Sequence, residues 1–428
     1  MSSRAIEVRA WGQTVGAVAL DPKQGYYVFA YTPEWLRTGI ELAPRSMPAA
    51  NYRGPYTFPN LPEATYQRLP ALLADALPDD FGNALINAYM TSRGRTVASV
   101  TPLDRLAYMA KRGMGALEFR PALGTRTDSK AALDMKRLVE AARSAVYGSL
   151  ATEGDAKAAL NRIISVGTSA GGARAKAVVA WNPVSGEMRS GQFAADPGFE
   201  HWLVKFDGVA ADQTLGGGKD FGRLEYAYHL MARAAGIRMA DCRLLEEGGR
   251  AHFMTRRFDR DGDEKHHVQT LCAMEHMDFK QVAIHTYAQA FMAMAALGLE
   301  SDATDELFRR MTFNVMAMNC DDHTKNLAFL LRRGGAWELG PAYDLTYAFN
   351  PKGDWTYQHQ MAVDGKFMDI TQVDLLQDAE RFGVRNPRGI LREVAAAVSS
   401  FGEFARKAGV SANRRGEVEK HLRPLPAS

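Results

Sequence analysis

The sequence predicts an α+β protein of two lobes, a β-rich lobe followed by an all-helical one, with an additional N-terminal subdomain. Three observations carry this. Period-two alternation marks strands through the first half, as in Ile6-Glu7-Val8-Arg9-Ala10. Beyond about residue 268 the apolar spacing turns helical, over Gln269 to Met274, Tyr287 to Leu297, Asp305 to Met318 and Gly389 to Phe404. A chain of 428 residues also exceeds one ordinary domain. The expected divisions are 1–123, 124–258 and 259–428, with the polar stretch Gly124 to Ser129 as a linker.

Composition narrows the function classes. At 46% hydrophobic and 24% charged, the balance is that of a soluble globular protein. A net charge of +3 is too small to argue for nucleic acid by itself. Cys242, Cys272 and Cys320 are widely spaced and odd in number, which argues against a disulfide framework or a cysteine metal site. Met1-Ser-Ser-Arg-Ala-Ile-Glu lacks the apolar core of a signal peptide, and the most apolar helix, Ala288 to Leu299, is too short to span a bilayer. The expected location is the cytoplasm, without membrane contact.

Taken in order, Ile6 to Ala10, Val15 to Leu20 and Tyr26 to Tyr31 read as strands of a small antiparallel sheet, parted by turns at Gly12-Gln13 and Asp21 to Gly25. Helical periodicity follows over Leu69 to Leu77, Phe81 to Met90, Pro102 to Lys111 and Lys130 to Tyr147. Strands Arg162 to Val166 and Ala177 to Trp181 flank a glycine-rich loop, Gly167-Thr168-Ser169-Ala170-Gly171-Gly172-Ala173-Arg174-Ala175-Lys176. Such a loop lets backbone N–H groups approach phosphate oxygens, although its composition also suits an ordinary hairpin.

In the strand His201 to Phe206, Lys205 stands among apolar residues. A buried ammonium needs an anionic partner unless it snorkels to water. Leu224 to Ala235 reads as an amphipathic helix closed by Gly236. Its Glu225 suits the helix dipole and can equally face Lys205. Met239 to Leu245 and Ala251 to Phe258 form two more strands, and Thr255 to Arg260 is a natural hinge into the helical lobe.

The helix ending at Met318 delivers Asn319-Cys320-Asp321-Asp322-His323-Thr324-Lys325-Asn326. Leu327 to Arg332, the turn Gly334-Gly335 and Ala336 to Gly340 then read as a hairpin that returns Asp344 beside Asp321 and Asn326. An Asp, four residues, an Asn, a hairpin and a second Asp is the layout of a phosphoryl-transfer site. One Asp handles the attacking hydroxyl, while the Asn and the second Asp offer oxygen ligands to Mg²⁺. Without the hairpin the same spacing is also met in a polar helix-to-strand turn.

The ordered motifs Gly-Thr-Ser-Ala-Gly-Gly-Ala-Arg-Ala-Lys, Trp-Leu-Val-Lys, Arg-Arg-Phe-Asp-Arg, His-Val-Gln-Thr-Leu, Asp-Asp-His-Thr-Lys-Asn and Ala-Tyr-Asp-Leu resemble those of the HipA family. The N-terminal part is similar too, in Phe29 to Leu36 and in Leu73-Ala-Asp-Ala-Leu-Pro-Asp-Asp80. The resemblance covers nearly the whole chain. It implies a protein-kinase-like fold and Mg²⁺-ATP-dependent phosphorylation of serine or threonine on a protein, in some members an aminoacyl-tRNA synthetase. It also implies a small helix-turn-helix antitoxin that binds operator DNA with the kinase.

Carried over by motif, Asp321 is catalytic and Asn326 and Asp344 hold Mg²⁺. Lys205 meets the phosphates, and Arg256 to Phe258 is the adenine hinge. Gly167, Thr168, Ser169, Gly171, Gly172, Lys176, His323 and Lys325 complete the nucleotide site, with Ser169 the autophosphorylated residue. The resemblance also implies a departure: the family usually has Gly where Asp322 stands. Asp tolerates positive φ less well than Gly. It would also bring an extra carboxylate near the metals. Two other classes share parts of the pattern, a small-molecule phosphotransferase and a non-catalytic corepressor joining an antitoxin on DNA. The N-terminal subdomain and loop serine disfavour the first. The intact Lys205, Asp321, Asn326 and Asp344 disfavour the second.

Overall fold

The computed structural model describes residues 5–78, 80–123, 132–134, 136–138, 140, 174–192, 195–208 and 220–425. The strand expected at Arg162 to Val166, the loop residues Gly167, Thr168, Ser169, Gly171 and Gly172, and most of the helix expected over Lys130 to Tyr147 lie outside them.

The N-terminal subdomain is built on a four-stranded antiparallel sheet. Strands β1 (Ala5–Ala10), β2 (Gln13–Leu20), β3 (Tyr27–Tyr31) and β4 (Glu118–Arg120) lie in the order β3-β2-β1-β4. Alternation buries Ile6, Val8 and Ala10 beside the helix Pro102–Met109, on which the helix Asp80–Thr91 packs in turn. The helix expected over Leu69 to Leu77 shortens to Ala71–Ala74. Pro70 lacks the N–H needed inside a helix and fixes that start.

The second sheet has five antiparallel strands, β5 (Lys176–Trp181), β6 (Met188–Ser190), β7 (Glu200–Lys205), β8 (Cys242–Glu247) and β9 (Arg250–Arg256), in the order β6-β5-β7-β9-β8. The helix Phe221–Ala234 lies against β9. Gly222 allows that approach, because a Cβ there would sit 2.1 Å from the Ala251 carbonyl oxygen. This helix packs with the following lobe: Leu224 and Tyr228 share one apolar core with Phe308, Phe313 and Phe401. The strands Lys176–Trp181 and Glu200–Lys205 instead share the core of the N-terminal subdomain, through Val179, Trp202 and Val204.

After two short strands, β10 (Arg260–Asp261) and β11 (Glu264–Lys265), the chain is mostly helical. The helices include Tyr287–Ala296, Ser301–Met316, Gln372–Phe382 and Pro387–Ser399. The lobe is not wholly helical. Strand β12 (His267–Thr270) precedes the short pairing strand β13 (His285–Thr286), and β14 (Ala328–Leu331) with β15 (Trp337–Leu339) forms the expected hairpin, Gly334 turning at φ 74°. β12 and β15 flank β14 as a three-stranded sheet, and β16 (Met361–Ala362) pairs with β13. Gln269, expected in a helix, is therefore in a strand, and only Leu271–Met274 is helical. Edge pairing of β12 with β14 (Thr270 opposite Ala328) outweighs the local helical spacing.

Several of the motifs quoted above turn out to join the lobes. Asp75 accepts hydrogen bonds from Thr270 N and Oγ1, both at 2.8 Å. Asp259, fully buried, is held by Arg257 at 2.6 Å and Arg260 at 2.5 Å, and it accepts from Gly115 N at 2.8 Å. Burial opposes its charge, but the two guanidiniums outweigh that and hold its carboxyl far below the usual range.

Candidate active site

The two lobes meet where the ends of three elements converge. From the five-stranded sheet comes Lys205, at the end of β7 and 8% exposed. Its ammonium is 2.5 Å from Glu225 Oε1 and also bonds Asp344 Oδ1. The choice left open by the sequence is thereby settled: Glu225, 2% exposed, faces Lys205, with Arg174 3.6 Å from its other oxygen. Burial disfavours the Lys205 ammonium, yet Asp344 and Glu225 overcome this and raise its pKa. Lys176 stands directly opposite Lys205 across the β5–β7 ladder. Two like charges so placed repel. Asp344 feels both, and although burial works against its ionised form, Lys205 and Lys176 hold its carboxyl below the usual range.

Asp344 follows the hairpin. Ala342 N bonds Arg238 O at 2.8 Å, and Tyr343 Oη donates to Lys325 O at 2.6 Å. These fix the backbone leading into Asp344, and Asp344 itself adopts φ 54°, a region Asp enters more readily than most side chains. Tyr343 stacks on Phe258 at 6.0 Å, which connects the end of β9 to the carboxylate. A cleft of about 290 Å³ opens beyond β9, lined by Met239, Asp241, Arg256, Phe258, Arg260 and His266 among others. It does not include Lys205 or Asp344.

The loop carrying Asp321 leaves the helix Ser301–Met316 through Met318 at φ 54°. Asp321 receives a hydrogen bond from Trp355 Nε1 on Oδ1 at 2.7 Å, and His323 Nε2 is 3.7 Å from the same oxygen. Its carboxylate still reaches solvent, with 41% of the side chain exposed. Enclosure by the lobes raises its pKa, and the nearby Asp344 and Asp322 charges add to that. Asn326 donates its amide nitrogen to the Asp321 carbonyl at 2.7 Å. Its remaining polar atom is an oxygen, so Asn326 and the ionised Asp344 are the donor types a hard divalent cation takes. Lys325 lies over the Phe279 ring at 4.9 Å, and its charge acts on Asp75 at the subdomain contact.

Asp322 corrects the expectation drawn from its position. It does not take positive φ, and it does not stand as a spare carboxylate at a metal site. It is 2% exposed and points into the lobe. Tyr287 Oη donates to Oδ2 at 2.8 Å, His359 Nδ1 lies 3.1 Å from the same oxygen, and Gln360 N donates to Oδ1 at 2.7 Å. Tyr287 in turn accepts from Asn314 Nδ2 at 2.9 Å. Burial alone would strip the proton from His359, but Asp322 and then Cys320 offset this and lift its pKa to about 10. Asp322 thus fastens the Asp321–Asn326 loop to the segment ending at Gln360. The sequence held no sign of this partnership, nor of Trp355 on Asp321, because the partners are 37 and 34 residues apart.

A lysine on a sheet, paired with a helical glutamate and facing an Asp-x₄-Asn loop and a second Asp, defines a kinase-like fold. A family model of the HipA-like C-terminal domain matches residues 168–401, and one of the HipA N-terminal domain matches residues 6–120. The chain belongs to the HipA family. Among solved structures it is similar to the Shewanella oneidensis MR-1 HipA of a toxin–antitoxin complex with HipB and operator DNA. Identity there is 16%, over 97% of this chain and 94% of that one, with a TM-score of 0.67. A Helicobacter pylori proinflammatory kinase, CtkA, is matched at 12% identity over 52% of this chain and 85% of that one, with a TM-score of 0.32. No curated protein matches the sequence. No helix among the described residues is long and apolar enough to cross a membrane.

Proposed function

We propose that this protein is an ATP- and Mg²⁺-dependent serine/threonine protein kinase, the toxin of a toxin–antitoxin pair. The observation that carries the reading is Lys205 held between Glu225 and Asp344, with the Asp344 charge acting on Asp321 and Asn326 bonded to the Asp321 carbonyl. Asn326 and Asp344 would hold Mg²⁺, which would supply positive charge against the transferred group. Lys205 orients the phosphates, and Glu225 keeps it from swinging away. Asp321 accepts the hydrogen bond of the attacking hydroxyl and takes its proton. The backbone at Arg256 to Phe258 receives the adenine. Ser169 is the site of autophosphorylation, with Gly167, Thr168, Gly171, Gly172 and Lys176 about the phosphates and His323 beside Asp321.

The units in this reading are residues 1–123, 124–258 and 259–428. The partner is a small helix-turn-helix antitoxin, through which operator DNA is met. The Shewanella complex, solved with HipB and operator DNA, supports that choice. The protein substrate suggested by the family resemblance is an aminoacyl-tRNA synthetase in the cytoplasm, whose phosphorylation would arrest growth and favour persistence.

Calorimetry with a non-hydrolysable ATP analogue and Mg²⁺ tests the nucleotide site. Lys205→Met removes charge-assisted bonds to the phosphates, and its affinity is expected to fall about tenfold or more. Equal affinity in the two proteins would remove Lys205 from the site.

A further inference from the structure

We propose that Trp355 is a positioning residue that sets the orientation of the Asp321 carboxylate, an inference that rests on the kinase reading. Trp355 lies in the stretch between Asp344 and β16, outside any helix or strand. Its indole N–H donates to Asp321 Oδ1 at 2.7 Å. An indole N–H is a donor only and cannot take a proton. Its effect on the reaction is therefore exerted through Asp321. With Oδ1 engaged by Trp355 and approached by His323, Oδ2 is the oxygen left to accept the substrate hydroxyl.

The backbone that carries the indole is held by Gln360. Gln360 Nε2 donates to the Trp355 carbonyl at 2.7 Å and to the Cys320 carbonyl at 3.4 Å. Gln360 N bonds Asp322 Oδ1 at 2.7 Å. The segment carrying Trp355 is thus tied to Cys320 and Asp322, the residues on either side of Asp321. Asn350 N to Thr356 O at 3.0 Å closes the outer part of the segment. The His323 ring lies 6.2 Å from Trp355 and 5.2 Å from Phe279, which completes an aromatic wall beside the carboxylate. A carboxylate fixed before substrate arrives needs no reorganisation during transfer, which is the source of its advantage.

The test compares wild type with Trp355→Phe, which keeps a ring and loses the donor, and Trp355→His, which keeps a ring N–H. Initial rates of phosphate incorporation are measured against ATP concentration with Mg²⁺, and affinity for a non-hydrolysable ATP analogue by calorimetry. Trp355→Phe is expected to lower kcat about tenfold or more. KM for ATP and analogue affinity should stay within about twofold, and Trp355→His should recover part of the lost rate. Should Trp355→Phe not fold, the comparison of Trp355→His with Trp355→Gln, a donor without a ring, decides by the same kcat-against-KM split. An unchanged or higher kcat in Trp355→Phe, or a loss confined to KM, would overturn the inference while wild-type activity leaves the kinase reading intact. A wild type that transfers no phosphate overturns both.

Discussion

Asp322→Ala is expected to destabilise the protein by about 3–5 kcal/mol, because it leaves His359 buried without its counter-charge. In a chain of this size that corresponds to a fall in thermal midpoint of roughly 3–6 °C. The loss has a pH signature. The folded-state pKa of His359 is about 10, above the ordinary 6.5. Its contribution is therefore fully present below pH 6.5 and fades as pH rises through 10, since only the folded state holds the proton in that window. The groups facing His359 are Asp322 and Cys320. The difference in midpoint between wild type and Asp322→Ala should shrink between pH 6.5 and pH 9.5, read by thermal unfolding in low-salt buffers. A difference that stays constant across that range would mean His359 is neutral in the folded protein.

The second large effect is on catalysis. Asp321→Ala is expected to reduce phosphate transfer by roughly 10²–10⁴-fold, the scale of a lost general base. Stability should change by less than about 1 kcal/mol, because the side chain is 41% exposed and its hydrogen bond comes from a half-buried tryptophan. The contrast with Asp322 is the useful part. Adjacent carboxylates in one loop have opposite surroundings, one partly exposed and one buried in the lobe. Rates and unfolding curves for both variants, made in the same background, separate the two roles.

What the sequence made legible is what was local or what broke a local rule. The spacing from Asp321 to Asn326 and the glycine turn at Gly334 are short-range, and both appear as read. Lys205 was visible because an ammonium in an apolar strand needs an anion, and the anions are Glu225 and Asp344. Asp322, Trp355 and His359 were not legible as a group. Trp355 lies in Asn350-Pro-Lys-Gly-Asp-Trp355, a stretch with no helical or strand period, and only the fold of the second lobe brings it to Asp321. Strand β12 was misread for a related reason. His-Val-Gln-Thr is too short to declare a period, and its partner β14 lies more than fifty residues on. The motifs around Asp75 and Asp259 carried the resemblance, and their packing supplies the reason: they clamp the N-terminal subdomain to the rest of the chain.

The central claim is that Lys205, Asp321, Asn326 and Asp344 together move the γ-phosphate of ATP to a protein hydroxyl. Its most direct test is mass spectrometry of the purified protein after incubation with ATP and Mg²⁺, alongside a chelator control and Asp344→Asn. The account predicts phosphate on serine, with Ser169 the principal site, in the wild type with Mg²⁺, and none with chelator or in Asp344→Asn. Phosphate on Asp344→Asn at the wild-type level, or a wild type that leaves both ATP and its own serines untouched, would contradict it.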